Sequence, residues 1–331
     1  MLRIHFTGED LARTRIAAGV NHPWEIVFSL HRLQADDRRA IYGQWRRRAR
    51  ADLARAGMTG QVRHLLNPLY PRASYFPDFL TPSTANSSGS ADLETSIETV
   101  LSTPRRRLHD ELQMITFTRG APAWAAALAD GDRDTLTLLG DTLRRYHHAV
   151  IAPYAHDIIA ALDSERALRA RIAVTGGTEA MLDSLHPTLR WQPPVLTADY
   201  PVDGDLHLHG RGIVLIPSFF CQHKPVALAD RDLPPVLAYP IDHHWRTAAP
   251  SGSDPLTALL GRSRAAVLRA AADALTTTEL ARHTRLSAAS ASENLTVLRE
   301  AGLVTSRRHA NTVIHTLTPL GALILANVGR V

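Results

Sequence analysis

Six side chains able to bind a borderline metal fall between positions 207 and 244: His207, His209, Cys221, His223, His243 and His244. His207 and His209 alternate, so on a strand they share one face, and Cys221 and His223 repeat that spacing for a neighbouring strand. Zinc accepts this mixture of imidazole and thiolate. In a chain with 17 histidines the polar face of a strand produces the same spacing, and that simpler reading is preferred, so neither a metal nor another cofactor is expected. The sequence has no nucleophile elbow, phosphate-binding loop, dinucleotide-binding glycine pattern or zincin helix, and Gly176-Gly177 and Ser88-Gly89 lack the context such motifs need. An enzyme is not expected.

A second chemistry is concentrated in the last quarter of the chain. Ser290, Ser292 and Thr296 carry short hydroxyl groups that donate or accept, and Glu293 accepts only, which suits the exocyclic amine of cytosine. Arg307, Arg308, His309 and Asn311 follow, with donors suited to phosphate. From Ser251 onward nine arginines face five acids, a net of +4 against a formal +5 for the whole chain. Such clustering is the electrostatic footprint of polyanion binding.

The elements that must position these groups are legible. Asp254-Pro255 is an N-cap followed by proline at the first helical position, and Leu256, Leu259, Leu260, Val267 and Leu268 recur at largely helical steps. Thr276 with Glu279 forms a capping box for a short helix to about His283, and Thr284-Arg285-Leu286 is the turn. Ser287 caps the next helix, whose inward face is Ala291, Leu295 and Leu298, leaving Ala288, Ser290, Ser292, Glu293 and Thr296 outward. Ala301-Gly302 ends it. Leu303–Thr305 and Thr312–Leu317 read as two strands joined by a hairpin tip over Ser306–Asn311, and Pro319 opens a last apolar helix, Leu320–Val328.

The strings "LLGRSRAAVLRA", "TTTELARHTRLS" and "SASENLTVLREAGLVTSRRH" resemble the ArsR-type winged helix-turn-helix regulators over about a quarter of the chain. The resemblance implies that the helix after Ser287 enters the major groove while the hairpin tracks the neighbouring backbone. Carried over by position, the DNA-contacting set is Ser287, Ala288, Ser290, Ser292, Glu293 and Thr296 on the helix with Arg307, Arg308, His309 and Asn311 on the wing. It also implies a homodimer through the first and last helices, here Leu256, Leu259 and Leu260 with Leu320, Leu323 and Ile324, and therefore a palindromic operator in double-stranded DNA. Family members often carry basic residues where Glu293 and Thr296 stand, so affinity leans on the wing. The paired cysteines of the metal-sensing members are missing, which excludes sensing through that site.

At 331 residues and 45% hydrophobic content the chain fits two domains with real cores. The expected organisation is a helical sensor or dimerisation domain over 1–246 ending in a small antiparallel β region, a linker over 247–253, and the winged helix over 254–331. The fold class is thus mainly α with small antiparallel β elements. Helices are expected over Thr7–Asp10 onward, Pro23–Leu33, Asp36–Ala56, Met58–Leu66, Leu93–Leu101, Pro104–Phe117, Pro122–Ala129, Asp132–His148 and Pro153–Val174, with a low-complexity loop over Ser83–Ser90. Strands are expected over Leu189–Val195, Asp205–His209, Gly212–Ile216 and Pro235–Ile241, with Gly210-Arg211-Gly212 as a hairpin turn. Through "MLRIHFTGEDLARTR", "YFPDFLTP" and "GRGIVLIPSFFCQHKPVALAD" the whole chain resembles long one-component regulators with a helical N-terminal region of unsettled role.

The reading reached is a DNA-binding repressor released by a small-molecule effector in the N-terminal domain, with Trp24, Phe28, Tyr75, Phe79, Trp124 and Tyr154 as pocket-lining candidates. The alternatives are a metal-responsive regulator using the histidines and cysteine of 205–244, or a winged helix serving protein contact. With no apolar signal core, one cysteine and no run of about 20 apolar residues, the expected location is the cytoplasm, on the nucleoid and away from membranes.

Overall fold

The computed structural model describes residues 1–35, 39–72, 75–82, 92–117, 120–222, 224–242, 254–309 and 312–328. The chain divides into two compact units, Met1–Asp242 and His243–Val331. It is mainly helical with small sheets. The expected linker 247–253 and the loop 83–90 lie outside the described residues, as do His223, His243, His244 and Asn311.

The first unit begins with strand β1 (Leu2–His5), α1 (Gly8–Arg13) and β2 (Arg15–Ile16). Helices follow as α2 (His22–Gln34), α3 (Arg39–Arg55), α4 (59–69), α5 (Leu93–Leu101), α6 (Arg105–Gln113), α7 (Ala123–Ala129), α8 (Arg133–Val150) and α9 (Ala155–Asp183). Side-chain caps start several of them: Thr7 accepts from Asp10 N, Asn21 from Trp24 N, Asp92 from Thr95 N and Asp132 from Thr135 N. Helix α2 is buried nearly all round, Pro23 through Leu30 included, as befits a helix at the centre of a core rather than on its surface. It is held by Ser29 Oγ to Tyr146 OH at 2.9 Å, while Tyr42 OH donates to Phe219 O and Trp45 Nε1 to Val150 O.

The rest of the unit is β3 (Leu189–Gln192), β4 (Val195–Ala198), β5 (Gly204–His207), β6 (Val214–Ser218), β7 (Val226–Ala227) and β8 (Val236–Pro240). The expected small antiparallel sheet is corrected here: there are two four-stranded sheets, both mixed. One has the order β3-β4-β1-β5, with β1 antiparallel to β4 and parallel to β5; the other has the order β2-β6-β8-β7, with β2, β6 and β8 parallel. Strand β6 reads as a nearly unbroken apolar run because both its faces are covered. Val214 and Ile216 join the helical core with Trp24, Phe28 and Leu30, whereas Leu215 joins a second core with Ile4, Leu182, Leu189 and Leu237. This sheet is a partition between two cores, not an appendage to one.

Two local expectations fail for related reasons. Leu189–Val195 is not one strand but a hairpin, since Pro193 and Pro194 have no N–H to continue a ladder. Gly210-Arg211-Gly212 is not a hairpin turn, for β5 and β6 lie in different sheets. The turn is clamped against α1 instead: Gly212 N donates to the buried Asp10 at 2.9 Å, Arg13 Nη1 donates to Gly210 O at 2.8 Å, and a Cβ on Gly212 would stand 2.7 Å from the Arg13 carbonyl carbon.

The second unit runs α10 (Pro255–Leu260), α11 (Arg262–Ala270), β9 (Leu275–Thr276), α12 (Thr277–Thr284), α13 (Ala288–Glu300), β10 (Val304–His309), β11 (Thr312–Leu317) and α14 (Pro319–Val328). The single first helix expected is two, because Gly261 takes φ 79° and ψ 158°, a conformation only glycine adopts freely. Two strands become three, in the order β10-β11-β9, with Leu275 and Thr276 pairing to His315 and Ile314. The core gathers Leu256, Val267, Leu268, Leu280, Leu295, Leu298 and Leu303.

Candidate nucleic-acid interface

The junction between α12 and α13 is set by caps. Glu279 N donates to Thr276 Oγ1 while Thr276 N donates to Glu279 Oε2 at 2.8 Å, so each end of the capping box satisfies the other, and those bonds hold the Glu279 carboxyl below its ordinary value. Arg285 ends α12 in the left-handed region at φ 57°, and Leu286 N reaches back to Ala281 O. Ser287 Oγ then accepts from Ser290 N at 3.1 Å to open α13. Ala291, Leu295 and Leu298 are buried, as their spacing requires. The far end of α13 closes with paired bonds from Gly302 N to Arg299 O and from Leu303 N to Leu298 O, which turn the chain directly into β10. Asp254 does not cap α10 with its side chain; it pairs with Arg269 at 2.6 Å, which pulls its carboxyl down to about 2.

On the outward side of α13, Ser287, Ala288, Ser292 and Glu293 are exposed, whereas Ser290 and Thr296 are half-buried. Thr296 Oγ1 donates to Ser292 O, leaving only its oxygen lone pairs for a ligand, and Ser290 Oγ accepts from Asn294 Nδ2 at 3.4 Å. No ion pair within 4.0 Å joins Glu293 to Arg285, Arg299 or any other described residue, so the carboxylate stands ready to accept.

The hairpin tip is shorter than Ser306–Asn311. Pairing extends out to His309 and Thr312, so Arg307 and Arg308 lie in the strand pair opposite Ile314 and Val313, where successive side chains take opposite faces. His309 ends β10. Arg282, Arg285, Arg299, Arg307 and Arg308 are all exposed, and none has an acid within 4.0 Å among the described residues. Sequence reasoning missed His315. It is buried between α12 and the hairpin, with Thr277 Oγ1 2.9 Å from Nε2 and Ser306 Oγ 2.8 Å from Nδ1. Burial, then the nearby Arg299 charge, lowers its pKa, so it ties hairpin to helix as a neutral imidazole. Its signal was the one titratable residue inside the strand "TVIHTL".

Of the expected dimer residues, Leu256 is fully buried in the unit's own core and is withdrawn from that role, and Leu260 and Ile324 pack partly against the same core. Leu259, Leu320 and Leu323 stay exposed at 72%, 51% and 60%.

The expected effector residues fare worse. Trp24, Phe28 and Phe79 are core residues, Trp24 stacking on Phe28 at 5.5 Å and meeting Phe76 edge-on at 5.8 Å; side chains this tightly packed fill space instead of lining it. Trp124 and Tyr154 are partly buried against that core, and Tyr75 alone of the six lines a cavity described below. The metal candidates are also separated. His207 stacks on His5 at 4.3 Å and lies 5.8 Å from His209, beside Asp205, whose carboxylate accepts from both His5 and Arg3. Cys221 belongs to the helical core on the other side of the partition sheet, its thiol pushed up by burial. Among the described residues no group of three or more metal-binding side chains forms, and no helix is long and apolar enough to cross a membrane. Comparison of the chain with protein families, with curated proteins and with solved structures finds no significant match.

Proposed function

We propose that this chain is a sequence-specific DNA-binding transcriptional regulator whose second unit is an ArsR-type winged helix. In this reading α12 and α13 form the helix-turn-helix, α13 reads the major groove, and β10 and β11 form the wing. The observation that carries the proposal is the set of five exposed arginines without acid partners on α12, the following turn, α13 and β10. Guanidinium groups with no acid within 4.0 Å on one small domain favour a polyanion, and the short polar side chains outward on α13 fit base edges. The first unit then serves as the sensor of a small molecule, and the regulator acts as a repressor.

Selection of bound duplexes from a random pool tests the proposal directly, a recurrent palindrome being the expected result and an unenriched pool the refuting one. Arg307→Ala with Arg308→Ala will weaken binding to all sequences alike and flatten the salt dependence by about one unit for each phosphate no longer neutralised. An unchanged slope would take the wing out of the interface. The regulator acts as a homodimer through the exposed Leu259, Leu320 and Leu323 on α10 and α14. Light scattering should give twice the monomer mass for the native chain and a monomer for Leu259→Glu with Leu323→Glu. A native chain that stays monomeric with operator bound would refute the dimer.

A further inference from the structure

Among the described residues of the first unit, two cavities differ in chemistry. One, of about 470 Å³, is walled by Tyr75, Asp78, Arg107 and Glu111 among others. Its buried acids are already engaged by the chain: Asp78 accepts from Ala229 N at 3.1 Å and Asp230 N at 2.7 Å, and Glu111 accepts from Phe79 N at 2.7 Å and from Arg107 at 2.5 Å. That wall is a clamp holding the turn at Asp78–Leu80 to the loop at 229–230.

The other cavity, of about 540 Å³, has Arg63, His64 and Arg72 as its ionisable lining and no carboxylate among the described lining residues. Its remaining walls join Phe117, Pro68, Pro71 and Pro122 to the polar Gln34, Asn67 and Thr116. A volume of this size, with an aromatic and proline wall facing convergent polar groups, suits a small-molecule site. Arg63 is exposed and has no acid within 4.0 Å among the described residues. In a recess that no described carboxylate lines, an uncompensated guanidinium favours an anion, and its planar fork suits a carboxylate.

The backbone beneath is shaped for this role. Val62–Leu66 is a π-helical turn inside α4, an irregularity often found at functional sites because it re-aims side chains. Pro68, four residues after His64, has no N–H to give the His64 carbonyl. That carbonyl accepts instead from Trp124 Nε1 at 2.9 Å, and the Trp124 ring meets Phe117 edge-on at 6.1 Å. One hydrogen bond therefore joins the cationic wall to the aromatic one.

We propose that this cavity binds a small organic anion, a carboxylate on a flat apolar body, with Arg63 at the carboxylate and Phe117 and the prolines against the body. In the regulator proposed above it is the effector site, but the site stands on the cavity itself and its test needs no DNA. The full chain is titrated calorimetrically with naphthoate, the neutral naphthamide and cationic naphthylmethylamine. Naphthoate should bind saturably with one site per chain and tighter than the amide by about tenfold, the worth of one charge-assisted hydrogen bond. Arg63→Glu should erase that preference, and Thr116→Trp, which fills the cavity from an exposed lining position, should abolish binding. The titration should be untouched by Arg307→Ala with Arg308→Ala, which separates failure of this site from failure of DNA binding. Equal binding of acid and amide, tighter binding of the amine, a preference that survives Arg63→Glu, binding that survives Thr116→Trp, or no saturable naphthoate binding at millimolar concentration would each overturn the proposal.

Discussion

Gly321→Ala will destabilise the second unit by about 1–3 kcal/mol, the usual cost of overpacking a filled site. On an exposed helix the same change would stabilise by about 1 kcal/mol, so the sign itself is diagnostic. The cause is the close approach of α14 to the chain leaving α13: a Cβ on Gly321 would stand 2.1 Å from the Leu303 carbonyl oxygen and 3.0 Å from its carbon. Backbone cannot step aside as a flexible side chain would. The same junction is fastened by Thr318, whose N–H donates to Leu303 O at 3.0 Å, whose Oγ1 donates to Gly302 O at 2.6 Å, and which receives Gly321 N at 3.1 Å. Hydrogen exchange should show the loss first in α14 and β10, with the first unit unaffected. Undiminished protection there would refute the packing argument. Because α14 carries Leu320 and Leu323, the variant should also weaken the proposed dimer.

Replacing Glu25 will remove a pH dependence of stability on the order of 3 kcal/mol. Its carboxylate is fully buried, accepting from Phe219 N at 2.8 Å, Phe220 N at 3.1 Å and Ser218 Oγ at 3.1 Å. Burial outweighs those bonds and pushes its pKa from 4.5 up to about 7. A raised folded-state value means that the native protein holds the proton more tightly. The stabilisation is therefore complete below pH 4.5 and is lost as pH rises through about 7. Asp78, raised to about 6 by burial, acts in the same direction. His31 and His147, lowered to about 3 and about 4 chiefly by burial, oppose both, since their contribution is lost as pH falls below 6.5. Subtracting Glu25→Gln from the native protein cancels those shared contributions. Urea unfolding at pH 5 and pH 7.5 should show the native protein's advantage shrinking at the higher pH, and a constant difference would refute the assignment. Glu25→Ala strands all three donors and should cost several kcal/mol at either pH, each orphan being worth about 1–3 kcal/mol.

Legibility in the sequence followed the range of the cause. Helix starts at Thr276 and Ser287 could be placed because a cap acts over three residues, and the inward face of α13 because Ala291, Leu295 and Leu298 repeat with the helix itself. Strand β1 was invisible. Leu2–His5 alternates correctly, but four residues make no pattern without their partners at Val195–Ala198 and Gly204–His207. The turn at Gly210–Gly212 misled for the same reason, since glycines mark a reversal and not which sheet receives the chain. Aromatic residues mark where apolar surface is buried, and Trp24, Phe28 and Phe79 are buried against protein. The cationic cavity was not legible because Arg63, Arg72 and Phe117 reach it from separate segments.

The placement of β1 between β4 and β5 also sets an order of events at the ribosome. Leu2–His5 emerges long before either neighbour, and the register that matches Leu2 to Ala198 on one side and Gly204 on the other exists only after Gly204–His207 has followed. Until then its N–H and C=O groups on both edges are open to any other strand. Closing so long a loop loses chain entropy before the contacts reward it, which slows folding of the first unit. The second unit, whose strands all lie between Leu275 and Leu317, carries no such delay. Newly made chains therefore pass through an interval in which β1 is complete while neither strand that will flank it has been made.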